Sequence, residues 1–320
     1  MQIKQILKSK TSLAPMAGIT DYVLRSLVRK YSADCLLTTE MISSEFLMQN
    51  RPSEITKRDE NHSPISYQLS GHKPHMMRKS AEILTPLADI IDINMGCPVK
   101  KVVGGQDGCS LMRNPTLAYD LVQAVKDGTD KPVSVKFRLG YTMDELNFVE
   151  FGQKMQDAGA EFITIHGRTR SQMYSGKADW KLIKKLKENI DVPVFANGDI
   201  VSIDTAIQAL EESQADGIAI ARGILSDPTL IYRIENYLKN GEKLPEPELP
   251  EKIKMLKWIL DEEIKFRGED IGLKFCRKFY AYFLTGFKNA SKLRGQLVTE
   301  NFYPKIIEML DSITTYAQVP

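Results

Sequence analysis

The chain has 320 residues, 42% of them apolar and 26% charged, and a formal net charge of +2. These proportions exclude wholesale disorder and a membrane class, and a balance so near zero neither demands nor forbids a polyanionic partner. The length suits a barrel of about 250 residues with a smaller appended unit, rather than one ordinary compact core. No CxxC pair occurs among Cys35, Cys97, Cys109 and Cys276, which disfavours a metal site and a disulfide framework and fits a reducing cytoplasm. Lysines interrupt the apolar stretches of the opening MQIKQILKSKTSLAPMAG, so no signal peptide is expected. No run reaches the roughly 18 apolar residues needed to span a bilayer, so the protein is expected to stay in the cytosol.

In chain order, short apolar runs suited to buried strands fall at Leu13–Ala17, Cys35–Thr39, Ile65–Leu69 and Ile90–Asn94. Further runs follow at Val133–Arg138, Phe162–His166, Val194–Gly198 and Gly217–Ala221. Stretches of helical periodicity lie between them, including Asp21–Tyr31, Pro115–Lys126, Asp144–Ala158 and Ser202–Glu212. Eight strands alternating with helices predict a (β/α)8 TIM barrel. A doubly wound open sheet would favour a glycine-rich dinucleotide loop after an early strand, whereas the first strand here runs into APMAGITD. The segment Gly241–Lys252 contains Pro245, Pro247 and Pro250 and reads as a stiff linker. Beyond it, helical spacing at Ile253–Phe266, Leu273–Phe283 and Phe302–Ile313 predicts an all-α helical bundle. The expected division is therefore a barrel over 1–240, a linker over 241–252 and a helical domain over 253–320.

Barrel enzymes hold their chemistry at the C-terminal ends of the strands, and nearly every predicted strand here ends on a polar group. Lys136 sits inside an apolar strand, where burial without a partner would be costly. It either faces a bound anion or carbonyl, or runs outward to water. After the seventh and eighth strands come Asn197, Gly198, Asp199 and Ala221, Arg222, Gly223. Barrels commonly bind phosphate there through backbone N–H groups. Cys97 stands at a strand end beside Gly96 and Pro98, where a thiol can serve as a general acid or as a nucleophile. The other three cysteines read as small buried apolar residues. His166, next to Gly167 and Arg168, is either a proton donor to a ligand or a core histidine.

APMAGITD, QLSG, NMGCP, VKFRLG, HGRTR, NGDI and ARG, in this order and at these intervals, resemble the tRNA-dihydrouridine synthases of the bacterial type from Leu13 to about Leu230. The resemblance implies a flavoenzyme that binds FMN, takes electrons from NADPH or NADH and acts on tRNA; a cytoplasmic monomer without a metal is the expectation beside it. Carried onto this chain, the family pattern packs Pro15, Met16 and Ala17 along FMN. It brings Gln68, Lys136 and His166 to the ring or ribityl chain, and Asn197, Gly198, Asp199, Ala221 and Arg222 to the phosphate. Asn94 and Arg168 fall at the edges of the pocket. The implied reaction transfers hydride from FMN N5 to uridine C6, with Cys97 as the acid that protonates C5 from the opposite face. A stacked uridine must flip out to reach the flavin.

RNA contacts outside the barrel are expected from Lys274, Arg277, Lys278, Lys288, Lys292 and Arg294, which lie in a stretch without Asp or Glu between Asp270 and Glu300. Tyr282 joins them, while most of the interleaved aromatic residues read as core. The chain departs from the family pattern in the loop KKVVGGQDGCSLM and in RKFYAYF, where relatives often carry a His and a Trp. Both departures bear on substrate placement. Rival readings are the same chemistry on ribosomal RNA, an FMN barrel oxidoreductase of a free metabolite, and a catalytically silent RNA-binding protein.

Overall fold

A computed structural model describes residues 2–49 and 54–316. The strands are β1 (Thr11–Leu13), β2 (Leu36–Thr38), β3 (Ile42–Ser43), β4 (Ile65–Ser70), β5 (Ile90–Met95), β6 (Val133–Arg138), β7 (Phe162–His166), β8 (Val194–Asn197) and β9 (Gly217–Ile220). All pair in parallel, and the ring closes where β2 meets β4 (Leu37↔Ile65) and β1 meets β9 (Thr11↔Ile218). The two-residue β3 pairs with the far end of β4 (Ile42↔Leu69), on the edge that β2 occupies nearer its start. β2 and β3 thus act as one barrel strand broken at Thr39–Met41, and the expected eight-stranded (β/α)8 barrel is present.

Strands in such a ring are covered on both faces, so they read as continuous apolar runs. Ile6, Leu36, Ile90, Phe162 and Phe195 form a separate buried cluster. The rings of Phe162 and Phe195 meet edge-on with centroids 4.9 Å apart. Polar residues occupy the strands beside this cluster: Ser12, Ser66, Asp92, Ser134 and Thr164 are all buried.

Side-chain caps set the helix starts. Asp21 accepts from Leu24 N–H at the head of Tyr22–Tyr31, and Asn114 from Leu117 N–H at the head of Pro115–Asp127. Ser202 and Thr205 exchange bonds at the head of Ile203–Ser213.

Some expected boundaries are corrected. The first strand is Thr11–Leu13, so Pro15, Met16 and Ala17 lie on the loop beyond it. The helix expected from Asp144 begins at Phe148, because Gly140 and Leu146 form an antiparallel bridge and Arg113 pairs with Glu145 at 2.7 Å. The linker is shorter than 241–252, since a helix spans Leu249–Arg267. Pro250 occupies its first turn, where the missing N–H costs no bond, and Glu248 and Glu251 cap it reciprocally.

Helices Glu269–Phe283, Ala290–Thr299 and Tyr303–Tyr316 follow, and Ala290–Thr299 was not among the expected elements. These helices share the hydrophobic cluster of the barrel: Leu256, Ile259, Phe279, Leu297 and Leu310 are buried in it together with Leu24 and Leu27. Arg267 ties the two parts together, donating at 2.7 Å to Asp21 and at 2.7 Å to Glu263. Burial, followed by the neighbouring Asp21, pushes the Glu263 carboxyl above the ordinary carboxylate range.

Candidate active site

A cavity of about 670 Å3 opens at the C-terminal ends of the strands. Pro15, Met16, Ala17, Gln68, Asn94, Cys97, Lys136, His166, Asn197, Gly198, Asp199, Ala221 and Arg222 all line it. These are the expected cofactor and catalytic residues with the exception of Arg168, which lies behind the wall. Tyr282, expected among the RNA contacts, also reaches the cavity from helix Glu269–Phe283. Arg138 and Tyr174 line it too and were given no role from sequence. Arg138 belongs with Lys136 to the polar strand-end residues, two residues beyond it on the same face of β6. Nothing local marks Tyr174, which comes in from the loop after β7.

One wall is a chain of side-chain hydrogen bonds along β4 and β5. Gln68 Nε2 donates to Asp92 Oδ2 at 2.6 Å, and Asn94 Nδ2 donates to Gln68 Oε1 at 2.7 Å. Asn94 Oδ1 then accepts from the N–H groups of Cys97 at 2.9 Å and Gly96 at 3.2 Å. The register that aligns Gln68 with Asp92 makes this possible. The loop carrying Cys97 folds back on itself: Cys109 N–H donates to Cys97 O at 3.1 Å, and Gly108 adopts φ 60. A Cβ at Gly108 would lie 2.7 Å from Cys97 O, so glycine is required there on two counts. Asp107 accepts from Ser70 Oγ at 3.1 Å and lies 2.8 Å from His72 Nδ1, which anchors the same loop to the end of β4.

The Cys97 thiol is half-buried, and burial raises its pKa above the ordinary thiol value. Cys35, Cys109 and Cys276 are fully buried, as expected for core cysteines.

The adjoining wall, on β6, is cationic, with Lys136 aligned to Asn94 of β5. Lys136 is surrounded by protein, with part of its surface open to the cavity, and its Nζ donates to Asn197 Oδ1 at 3.1 Å. It therefore faces inward, as the first of the two sequence readings required. Burial and the neighbouring Arg138 lower its pKa to about 8. Asn197 is itself oriented by donating Nδ2 to Ala219 O at 2.7 Å. Arg138 donates to the backbone oxygens of Gly96 at 2.9 Å, Thr169 at 2.9 Å and Met173 at 2.8 Å, which joins the loops after β5 and β7. Its guanidinium and that of Arg222 flank the exposed Tyr174 ring, at 5.7 and 5.1 Å from the centroid. His166 is held well below the ordinary histidine range by burial and by Arg138, Lys136, Arg168 and Arg222. Its Nε2 lies 3.3 Å from Arg168 Nη1, which can only donate, so the neutral ring accepts there and carries its proton on Nδ1.

Arg168 is corrected from a pocket edge to a supporting role. It is 1% exposed, pairs with Asp199 and donates to the carbonyls of Ser175 at 3.1 Å and Gly176 at 2.7 Å. Asp199 and Gly198 both have positive φ, 54 and 117. A Cβ on Gly198 would collide with Ala178 Cβ at 2.7 Å and with His166 Cδ2 at 2.8 Å, so the backbone itself must form this wall.

The expected RNA-binding residues divide into two groups. Lys288 and Lys292 are exposed, and Lys274 is exposed but paired with Asp270 at 2.7 Å. The other three make internal bonds. Arg277 donates to Asn301 Oδ1 at 2.7 Å, Arg294 donates to Leu284 O at 2.6 Å, and Lys278 donates to Gly18 O. Burial lowers the Lys278 pKa to about 8.

A parallel barrel with titratable groups gathered at the C-terminal mouth places the chain among the TIM-barrel enzymes. Its fold is similar to that of the old yellow enzyme homologue from Zymomonas mobilis, with a TM-score of 0.51 and 12% identity over 74% of this chain and 90% of that one. A family model described as dihydrouridine synthase matches residues 12–313. Among relatives, the chain is 40% identical to a probable tRNA-dihydrouridine synthase 1 of Synechocystis sp., over 98% of this chain and 88% of that one. It is 36% identical to the tRNA-dihydrouridine synthase B of Pseudomonas aeruginosa, over 91% of this chain and 88% of that one. The chain belongs to the dihydrouridine synthase family. No described helix is long and apolar enough to cross a membrane.

Proposed function

We propose that the chain reduces the C5–C6 double bond of uridines in tRNA to dihydrouridine, using FMN and a nicotinamide reductant. The observation that carries this reading is Cys97: a half-buried thiol whose pKa burial raises, on the rim of a cavity lined beside it by Lys136 and Arg138. The tRNA substrate is supported by the names of the relatives and by the exposed Lys288 and Lys292 on the C-terminal helices.

The residues present fit FMN. The cavity volume of about 670 Å3 falls within the usual range for cofactor pockets. Asn197–Asp199 and Ala221–Gly223 lie at the C-terminal ends of β8 and β9, where barrels bind phosphate, and Arg222 adds a half-exposed guanidinium there. At Gly198 a side chain would not fit. Lys136, oriented by Asn197, supplies a positive charge toward a carbonyl or a developing anion, and Gln68 presents a fixed amide.

When bound and reduced, FMN supplies the hydride for C6 of the uracil ring. Cys97 Sγ–H donates the matching proton at C5, and its raised pKa keeps that proton in place at neutral pH. Neutral His166 and the carbonyl-bound Arg138 hold their protons and orient the mouth. A base entering from outside the stack would meet Tyr174 and Tyr282, the aromatic side chains of the rim.

Incubation with NADPH and unmodified tRNA, followed by mass spectrometry of digested nucleosides, tests the proposal. Protein-dependent dihydrouridine is expected. A yellow protein that oxidises NADPH and leaves tRNA unchanged would move the substrate to ribosomal RNA or a free metabolite, and a colourless one would remove FMN.

A further inference from the structure

Asp92 is a buried carboxylate that the reaction above does not use. It is 5% exposed, stands two residues before Asn94 on the same face of β5, and does not line the cavity. Ser134 Oγ donates to its Oδ1 at 2.6 Å and Gln68 Nε2 to its Oδ2 at 2.6 Å.

A primary amide has a donor end and an acceptor end of nearly equal shape, so a chain of two amides can run in either direction. Burial pushes the Asp92 pKa up while Ser134, Gln68 and the Lys136 charge pull it back, and both carboxyl oxygens accept here, Oδ1 from Ser134 and Oδ2 from Gln68; a group that accepts on both sides is a polarity marker. With Asp92 at the base, the Gln68 amino group must turn inward, its oxygen must accept from Asn94, and the Asn94 oxygen is left to face the N–H groups of Gly96 and Cys97. The reverse direction would set the Asn94 amino group against two backbone donors. We propose that Asp92 is a positioning residue for Cys97: through Gln68 and Asn94 it orients the acceptor that holds the backbone of the thiol. The inference rests on the reading of Cys97 as the acid, and it adds a residue outside the cavity that aims that acid.

Iodoacetamide labelling of the full-length protein, quantified by peptide mass spectrometry, reads the position of Cys97 without reference to turnover, because the other three cysteines are fully buried. Asp92→Leu removes the marker and should raise the Cys97 labelling rate about fivefold or more, the equivalent of one lost hydrogen bond. In Asp92→Asn, the new amide can accept from Gln68 while donating to the Ser134 hydroxyl, so the rate should stay within about twofold of wild type. Ser134→Ala alone should also be quiet, since a symmetric carboxylate needs no partner to point the right way. Combined, Asp92→Asn with Ser134→Ala frees the new amide to turn and should label as fast as Asp92→Leu. If Asp92→Leu does not fold, this double variant carries the test.

Equal rates in all variants overturn the proposal. So does an Asp92→Asn rate matching that of Asp92→Leu, which would make charge rather than direction the cause. If Cys97→Ala still forms dihydrouridine, the acid role fails while the labelling pattern stands, so the two failures are separable.

Discussion

Arg168 Nη2 lies 2.7 and 2.6 Å from the two carboxylate oxygens of Asp199, with 2% of the arginine side chain exposed against 30% of the aspartate. The pair holds the left-handed Asp199 turn at the wall expected to receive phosphate, and Ala178 N–H adds a third bond to the same carboxylate at 2.7 Å. Removing one partner of a buried pair leaves the other without compensation. The partial exposure of Asp199 puts Arg168→Ala at the low end of such losses, about 3 kcal/mol of unfolding free energy. Urea denaturation checks this, with Arg168→Lys recovering only part because a single ammonium cannot hold Asp199 and also serve the carbonyls of Ser175 and Gly176 as the guanidinium does. An unchanged midpoint would contradict the supporting role.

Cys97→Ala separates the two halves of the reaction. The variant should keep bound FMN and oxidise NADPH at the wild-type rate, while dihydrouridine formation falls about 100-fold or more, the usual scale for losing a general acid. Absorbance of the bound flavin and nucleoside mass spectrometry read the two quantities. An unchanged product yield would refute the acid role.

Lys136 gives a pH dependence with a defined sign. Its pKa is lowered to about 8 in the fold, mainly by burial, against an ordinary value of 10.5. Between these pH values the unfolded chain binds a proton that the folded chain does not, so the stability contribution of this group rises with pH through that window. Below about 8 the penalty of burying the ammonium is present in full. For the flavin-free protein, the unfolding free energy of wild type should therefore gain on that of Lys136→Met from pH 8 to pH 10.5, by an amount on the order of 2 kcal/mol. A difference that does not vary with pH would mean that the lysine is solvated.

On the C-terminal helices, two kinds of basic residue should behave differently. Lys288 and Lys292 are exposed, so Lys288→Ala with Lys292→Ala should weaken tRNA binding and flatten the slope of log K against log salt by about 1 to 2. Arg294 donates to the carbonyl of Leu284, so Arg294→Ala should lower the melting temperature instead. Filter binding over a salt series, paired with thermal unfolding, tells them apart. A salt slope that moves only with Arg294→Ala would reverse the assignment.

Barrel strands β6 and β7 were legible to the residue, because VSVKFR and FITIH are short runs rich in β-branched and aromatic residues, and the alternation with helices leaves few other folds. The strand-end rule then identified a cavity lining that the structure largely reproduces. It overshot at Arg168, because strand-end position indicates closeness to the mouth but does not say whether a long side chain points into the cavity or behind it. The same limit applies to Lys278 and Arg294: a run without acidic residues looks like a phosphate-binding face, yet the backbone carbonyls of Gly18 and Leu284 take up those two cations.

By itself the sequence determined the class of fold, the family and the identity of the residues at the mouth, since these depend on local pattern and on motifs kept in order along the chain. The tertiary structure alone decided which way those residues act. The direction of the Asp92–Gln68–Asn94 chain, the neutrality of His166 among four cations and the lowered pKa of Lys136 all arise between strands far apart in the sequence. Hydrogen-bond polarity and charge burial depend on distance in space, which only the closed barrel fixes.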